Sequence, residues 1–196
     1  MEVKPLTLEG VHVKLVPMTL EHLDSLVEAG AFAELWKWTN VRADSWEGMS
    51  QYVMAALDDC DRGLSLPFVT IDKASGRVIG STRFGNIDTV NTKAEIGWTW
   101  ITPVFQRTYV NSEAKLLMLT YAFETWGCTR VELKTDVLNE KSRNAMKRFG
   151  AVEEGVLRKH IRTYSGRFRD SIYYSVLDSE WPAVKARLRS FVARAG

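Results

Sequence analysis

The chain has few of the features that mark specialised classes of protein. Its two cysteines, Cys60 and Cys128, lie far apart and form no CxxC pair. No disulfide framework or structural zinc site is therefore expected, and a reducing cytoplasm is the expected location. The three histidines, His12, His22 and His160, are scattered along the chain, so no metal site is expected either.

Strong net charge and long apolar runs are also missing. The formal net charge is +2, whereas a nucleic-acid-binding domain is expected to have a clustered basic surface. The apolar runs are only a few residues long, far from the roughly 20 that span a bilayer. The opening "MEVKPLTLEG" has no apolar core of a secretory signal. Neither nucleic acid nor membrane is expected as a partner.

Length and pattern instead predict one domain over residues 1–196. The predicted order is β-α-α-β-β-β-α-β-α-β-β-α, which indicates an α/β fold with one mixed, mostly antiparallel sheet and helices on both faces. The predicted elements are a strand from Val11, a helix from Thr19 to Gly30, a helix from Trp46 to Asp61, a hairpin turning at Ala74 to Gly76, the strand "KAEIGWTWI", a helix from about Asn111 to Trp126, the strand "RVELKTDV", a short helix after Asn139, a hairpin turning at Ser165-Gly166 and a helix from about Ser179.

One strand-to-helix junction, "VFQRTYVNSEAKLLML" from Val104, resembles a phosphate-binding loop but contains no glycine. A helix N-terminus offers unpaired N–H groups and the positive end of the helix dipole. Most junctions of this kind bind nothing. The junction alone therefore leaves open both a phosphate site and a simple helix start.

Longer segments carry a resemblance to a known family. They are "AEIGWTW", "NSEAKLLMLTYAFETWGCTRVELKTDVLNEKSRNAMKRFGAVEEGVLRKH" and "GRFRDSIYYSVLDSEW". In them the chain resembles the Gcn5-related N-acetyltransferase (GNAT) superfamily, and within it the RimJ/RimL-like group of ribosomal-protein alanine and serine N-terminal acetyltransferases. The resemblance covers nearly the whole chain and implies acetyl-CoA as co-substrate, without a metal.

The resemblance also assigns the glycine-free loop. The superfamily's pyrophosphate loop, Q/R-x-x-G-x-G/A, begins here at Gln106, but its glycine positions carry Tyr109 and Asn111. Glycine supplies room and positive φ, whereas the donors are main-chain N–H groups. Amides from Arg107 to Asn111 are thus expected to bind pyrophosphate if the side chains turn away. Asn111 tolerates a left-handed conformation and is a candidate helix cap.

Catalytic roles follow from the same resemblance. The superfamily often places a glutamate base on the strand before the cofactor loop, and Glu95 occupies that strand. The alternative for Glu95 is a solvated or ion-paired carboxylate. Strict alternation puts Ile96, Trp98 and Trp100 on one face, and a main-chain amide near Trp98 to Trp100 is expected to polarise the thioester carbonyl.

The helix after Asn139 supplies the remaining predicted contacts. Asn139 is expected both to cap that helix and to contact the pantetheine arm. The family's usual thiolate-protonating tyrosine falls on Met146, so the resemblance assigns hydrogen bonding to the CoA sulfur to Ser142; the alternative is a bond to its own helix backbone. The expected acetyl-CoA contacts are Trp98, Thr99, Trp100, Ile101, Gln106, Arg107, Thr108, Tyr109, Val110, Asn111, Asn139 and Ser142.

The acceptor side is less defined by sequence. Trp36 and Trp38 occupy the acceptor-loop region of this group and, with Glu95, form the predicted substrate contacts; core filling is the alternative for both tryptophans. The basic hairpin "RKHIRTYSGRFRD" is expected to be a solvated face, a contact for an acidic acceptor, or a homodimer surface. Acidic neighbours such as Asp170 are available to pair with it.

The expected function is direct transfer of acetyl from acetyl-CoA to a primary amine. A protein or peptide N-terminal α-amine is the favoured acceptor. A small-molecule amine acetyltransferase and a non-catalytic acyl-CoA-binding module are the alternatives.

Overall fold

The computed structural model describes residues 1–194, which form an eight-stranded sheet flanked by helices. The strands are β1 (Leu8–Glu9), β2 (Val13–Pro17), β3 (Leu66–Asp72), β4 (Val78–Asp88), β5 (Lys93–Ile101), β6 (Arg130–Asp136), β7 (Val152–Arg162) and β8 (Phe168–Leu177). The α-helices are α1 (Leu23–Gly30), α2 (Trp46–Asp61), α3 (Val110–Thr120), α4 (Glu140–Phe149) and α5 (Trp181–Ala193).

The sheet is mixed and mostly antiparallel, which confirms the predicted fold class. Its strand order is β1-β2-β3-β4-β5-β6-β8-β7. Strands β1 to β5 follow one another as an antiparallel meander. Strand β6 then pairs parallel with β5, and β8 and β7 continue antiparallel beyond it. The two predicted hairpin turns contain Gly76 and Gly166, whose positive φ values, 70° and 88°, fit glycine.

Each face of the sheet has its own apolar core. Helices α3 and α5 cover one face, where Phe84, Ile96 and Met118 are buried. Helices α1 and α2 cover the other face, where Met49 and Trp100 are buried. Both helical layers therefore pack directly on the central strands, which is how a mixed sheet buries both faces.

Most helix boundaries agree with the predictions, because local caps decide them. The Ser45 hydroxyl accepts a hydrogen bond from the Gly48 amide and starts α2 at the predicted Trp46. The Asn139 side chain caps α4, which ends at Gly150 with φ 104°. None of the helices formed by residues 1–194 has both the length and the apolar character that a bilayer crossing requires.

Several boundaries differ. The helix predicted from Asn111 begins one residue earlier, with Tyr109 at the N-cap position and no side-chain cap, so the capping role for Asn111 is wrong. Its last turns, Tyr121–Thr125, are π-helical. The segment after Thr19 is first a 3₁₀ turn, α5 begins at Trp181 rather than near Ser179, and β1 was not predicted.

A bulge in β5 changes which side chains share a face. Trp98 has φ 49°, and the register between β4 and β5 shifts at this point. One extra residue in a strand reverses the alternation that follows it. Ile96 therefore packs on the α3 side, while Trp98 and Trp100 pack on the α2 side. The prediction that these three residues share one face is wrong.

Candidate active site

Strands β5 and β6 pair at their beginnings and then separate. The ladder joins Lys93 to Arg130, Ala94 to Val131 and Glu95 to Glu132, and it ends there. Beyond that point β5 pairs only with β4 and β6 only with β8 among residues 1–194. The main-chain groups along both inner edges are thus free to pair with an extended ligand, in the manner of an added strand.

The loop between β5 and α3 has unpaired amides beside this gap. In residues 1–194, the amides of Arg107, Thr108, Tyr109, Asn111 and Ser112 donate no hydrogen bond to protein acceptors. The Val110 amide bonds the Thr108 hydroxyl at 3.3 Å. A row of free N–H groups at the start of an 11-residue helix is suited to an anion such as a pyrophosphate.

The side chain of Tyr109 turns away from these amides. Its hydroxyl donates to Asp72 Oδ1 at 2.8 Å, and its ring packs on His12 with centroids 4.6 Å apart. Partial burial and the Asp72 carboxylate raise the pKa of the Tyr109 phenol. At neither glycine position of the family pattern is positive φ needed: Tyr109 has φ −65° and Asn111 is helical. Arg107 instead takes the left-handed conformation, with φ 64°.

Glu95 is buried on the α2 side, at the point where the two strands separate. Its exposure is 3%. Its Oε2 accepts from Lys134 Nζ at 2.6 Å and from Asn86 Nδ2 at 2.8 Å. Within residues 1–194, Oε1 accepts no hydrogen bond and lies beside Gly97, where a Cβ would approach it to 2.9 Å. The ion-paired alternative for Glu95 is therefore present, and it leaves one oxygen free for a proton.

The bulged Trp98 covers the strand next to Glu95. Its indole lies over Gly85, whose Cβ, if present, would come within 2.3 Å of the ring. The hydroxyl of Tyr52, from α2, bonds the Trp98 carbonyl at 3.3 Å. A glycine on β4 and a tyrosine on α2 thus fix the bulge, and the aromatic ring borders the carboxylate site.

The start of α4 follows the carboxyl end of β6, on the other side of the gap. Asn139 Oδ1 accepts from the Ser142 amide at 3.2 Å, so the predicted cap is confirmed. The Ser142 side chain is half-buried, and within residues 1–194 its hydroxyl bonds no protein group. The alternative for Ser142, a bond from that hydroxyl to its own helix backbone, is thus absent there, and the hydroxyl is available to a ligand.

A buried lysine supports β5 from the α3 side. Lys115 Nζ donates to Thr99 Oγ1 at 2.9 Å, and Thr99 Oγ1 lies 2.8 Å from Thr82 Oγ1. Burial lowers the pKa of Lys115 to about 7. The amine thus holds the strand just after the bulge, at the edge of the gap.

The tryptophans predicted to bind the acceptor behave differently from each other. Trp36 is 1% exposed, its indole N–H donates to the Gly30 carbonyl, and its ring packs on Tyr52 and Trp100. It fills the core, so its assignment as an acceptor contact is wrong. Trp38 is half-buried and lies near Arg167, with 5.8 Å from that guanidinium to the ring centroid.

The basic hairpin formed by β7 and β8 lies beside Lys134, the residue that binds Glu95. His160 packs edge-on against Tyr173, and Lys134 Nζ lies 5.7 Å from the Tyr173 ring centroid. Partial burial and the charges of Lys134 and Arg169 lower the pKa of His160. Arg167 pairs with the buried Asp136 of β6, so part of the hairpin's charge is neutralised by a residue outside it.

Sequence reasoning missed several residues that surround Glu95. Lys134 and Asn86 bind its carboxylate, and Arg83 and Tyr52 border Trp98. One signal was available: Arg83 is a charged residue inside the small and apolar strand "VIGSTRFG", and such residues are seldom buried without a partner.

Comparison with known proteins agrees with this architecture. Residues 12–152 match the acetyltransferase (GNAT) domain family. A Bacillus subtilis protein provisionally named ribosomal N-acetyltransferase YdaF is 39% identical over 110 residues, 56% of this chain and 59% of that protein. This chain thus spans less than two thirds of that relative.

Solved structures give the same result over greater length. A GCN5-related N-acetyltransferase from Brucella melitensis is 32% identical, with a TM-score of 0.89 over 96% of this chain and 86% of that chain. RimJ from Mycobacterium smegmatis, in complex with CoA-disulfide, has a TM-score of 0.82 over 97% and 96% at 20% identity, a likeness of fold. The protein belongs to the GNAT acetyltransferase family, which confirms the resemblance drawn from the residues.

Proposed function

We propose that the protein transfers the acetyl group of acetyl-CoA directly to a primary amine. The observation that carries the proposal is the gap between β5 and β6, which has unpaired amides at the start of α3 and a buried carboxylate, Glu95, on the opposite face. Acetyl-CoA supplies an activated thioester when bound. A cofactor site and a proton acceptor on opposite sides of one opening suit direct transfer.

The loop before α3 holds the pyrophosphate in this proposal. The free amides of Arg107, Thr108, Tyr109, Asn111 and Ser112 are the donors. The gap edges at Trp98 to Ile101 and the side chain of Asn139 hold the pantetheine arm. The extra residue at the Trp98 bulge leaves main-chain groups outside the regular ladder, where an amide can polarise a carbonyl oxygen.

Glu95 and Ser142 carry the proton chemistry. Glu95, directly or through a water, takes a proton from the attacking amine. Its Oε1 is the available oxygen, because Lys134 and Asn86 bind Oε2. Ser142 donates a hydrogen bond to the CoA sulfur.

We infer that the acceptor is an N-terminal α-amine of a protein or peptide. The support is the name of the Bacillus subtilis relative, which calls that protein a ribosomal N-acetyltransferase. A small-molecule amine acetyltransferase remains the second candidate. A Tyr109 side chain in the pyrophosphate position would favour the non-catalytic alternative, but its hydroxyl donates to Asp72 instead.

A thiol-release assay with acetyl-CoA, run over a panel of free amines and peptides with varied N-termini, tests the proposal. We expect turnover with at least one class of amine and a melting temperature raised by CoA. Binding of CoA without turnover on any acceptor would favour the non-catalytic module. Absence of any effect of CoA on melting would contradict the cofactor assignment.

A further inference from the structure

Arg83 is a buried cation that has no hydrogen-bond or ion-pair partner among the residues that the structure describes. Its exposure is 3%, yet none of the salt bridges or side-chain hydrogen bonds formed within residues 1–194 includes its guanidinium. Its Nε is fully buried and unbonded. Buried polar groups in proteins nearly always have hydrogen-bond partners, and a buried charge without one is costly.

Aromatic rings hold this guanidinium in place. The Tyr52 ring centroid lies 4.9 Å from Arg83 Cζ, and the Trp98 ring centroid lies 5.0 Å from it. Such contacts stabilise the cation and fix its plane, but they use none of its N–H groups. The donors of Arg83 therefore remain available.

Arg83 lies beside the proposed proton acceptor. On the antiparallel ladder Arg83 is opposite Gly97, and Gly85 is opposite Glu95. Arg83 and Glu95 are thus diagonal neighbours on one face of the sheet, roughly 7–8 Å apart at their Cα atoms. The Trp98 ring lies near both groups. It packs on Arg83, and Lys134 Nζ, which binds Glu95, lies 5.9 Å from its centroid.

Nearby carboxylates already have other partners. Glu95 pairs with Lys134, and Asp136 pairs with Arg167. Arg169, the other buried arginine of this region, donates to the Ser171 hydroxyl and the Trp38 carbonyl. The pyrophosphate of the cofactor cannot be the anion that pairs with Arg83. Its proposed site lies at the start of α3, whereas Arg83 contacts Tyr52 on the α2 face.

We infer that Arg83 binds a carboxylate carried by the amine acceptor, close to the reacting nitrogen. This inference rests on the proposed acetyl transfer. A carboxylate accepts two parallel N–H bonds from a guanidinium, which gives the site both strength and orientation. Two sources have this chemistry: the α-carboxylate of a free amino acid, or an acidic side chain near a peptide N-terminus.

The experiment compares matched acceptors in a thiol-release assay. One arm uses free amino acids against their α-amides, and the other uses peptides beginning with Asp or Glu against Asn or Gln. We expect kcat/KM to be at least 10-fold higher for the carboxylate member of one arm, and that arm identifies the source. Turnover that favours neutral acceptors in both arms would overturn the inference while leaving acetyl transfer intact.

The Arg83→Gln variant tests the residue itself. KM for the carboxylate acceptor should rise at least 10-fold, KM for its neutral counterpart and for acetyl-CoA should change less than 3-fold, and Arg83→Lys should recover part of the loss. Arg77→Gln, which removes an exposed arginine just before β4, is the control. An equal loss for charged and neutral acceptors would indicate a structural role and contradict the inference.

A second measurement does not depend on the variant folding. With CoA present and no acetyl donor, the carboxylate acceptor should raise the melting temperature of the unmodified protein more than its neutral counterpart does. Equal shifts for the two acceptors would overturn the inference.

Discussion

On the α3 side of the sheet the candidate cofactor site consists of main-chain amides, whereas on the α2 side the candidate acceptor site consists of polar and charged side chains, of which Glu95 and Arg83 are buried. In our proposal the loop from Arg107 to Ser112 binds the pyrophosphate through N–H groups, which every residue except proline has. Around Glu95, in contrast, Lys134, Asn86 and Arg83 act through their side chains.

The difference explains why the loop can lose its glycines. A main-chain site tolerates side-chain changes when the new side chains turn away, as Tyr109 does toward Asp72. A site made of buried charges has no such freedom, because removing one member leaves another unpaired. Substitutions on the α2 side should therefore cost more activity than substitutions in the loop.

The largest effect is expected for Glu95→Gln. Removing the proton acceptor should lower kcat by roughly 10²- to 10⁴-fold, while the CoA-induced rise in melting temperature should be kept. Glu132→Gln is the matched control, since Glu132 is opposite Glu95 on β6 and pairs with Lys93 and Arg130 instead. Steady-state kinetics with both variants decide this: an unchanged kcat for Glu95→Gln would exclude the base role.

A second test addresses the buried charge on the α3 side. Lys115 has a pKa lowered to about 7 from 10.5 by burial. Below pH 7 Lys115 is charged in the folded protein, so the whole free-energy cost of burying that charge lowers the stability. Between pH 7 and 10.5 the unfolded chain binds more protons than the folded one, so this group makes stability rise with pH. At pH 8 the folded state is destabilised by about 3 kcal/mol, because each unit between pH 8 and the unfolded pKa of 10.5 corresponds to about 1.4 kcal/mol.

Lys115→Met should therefore raise the free energy of unfolding at pH 8 by up to about 3 kcal/mol, less about 1 kcal/mol for the lost bond to Thr99. The gain should disappear by about pH 10.5. Urea unfolding across this pH range measures it. Lys141→Met, at an exposed position of α4, is the control and should change stability by less than about 0.5 kcal/mol. A gain independent of pH would refute the charge-burial explanation.

A smaller effect is expected for Ser142→Ala. Loss of one hydrogen bond to the CoA sulfur should reduce kcat by about 10-fold, equivalent to about 1.4 kcal/mol. The Asn139 cap uses the Ser142 amide and not its hydroxyl, so stability should change little. Ser190→Ala, which removes a half-buried hydroxyl from α5, serves as control. Equal kcat values for the two variants would remove Ser142 from the mechanism.

The smallest effect is expected for Arg107→Gly. Arg107 has φ 64°, a conformation that costs an L-residue roughly 1–2 kcal/mol, although glycine also increases the entropy of the unfolded chain. The net gain in stability should be at most about 1 kcal/mol. The main-chain donors remain, so CoA affinity, measured by calorimetry, should change only a few-fold. A loss of 100-fold or more would mean that the Arg107 side chain, and not the main chain, dominates binding.

Local patterns were sufficient to predict much of the fold. The start of α2 at Trp46 follows from the Ser45 cap, and the end of α4 follows from Gly150, because a cap or a positive φ depends on neighbours in sequence. The family resemblance added the positions of Glu95, Asn139 and Ser142. Their catalytic and binding roles remain predictions.

The features that only the tertiary structure decided depend on contacts between strands and helices that are distant in sequence. The bulge at Trp98 reverses the alternation of β5, and it is fixed by Gly85 of β4 and Tyr52 of α2. The same packing removes Trp36 from any acceptor surface. It brings Lys134, 39 positions away, onto Glu95. It also buries Arg83, whose guanidinium has no hydrogen-bond partner within residues 1–194. The sequence by itself therefore determined all the α-helices and every strand but β1, with their order. Register and packing determined which charges meet, because strand pairing couples residues that no local pattern connects.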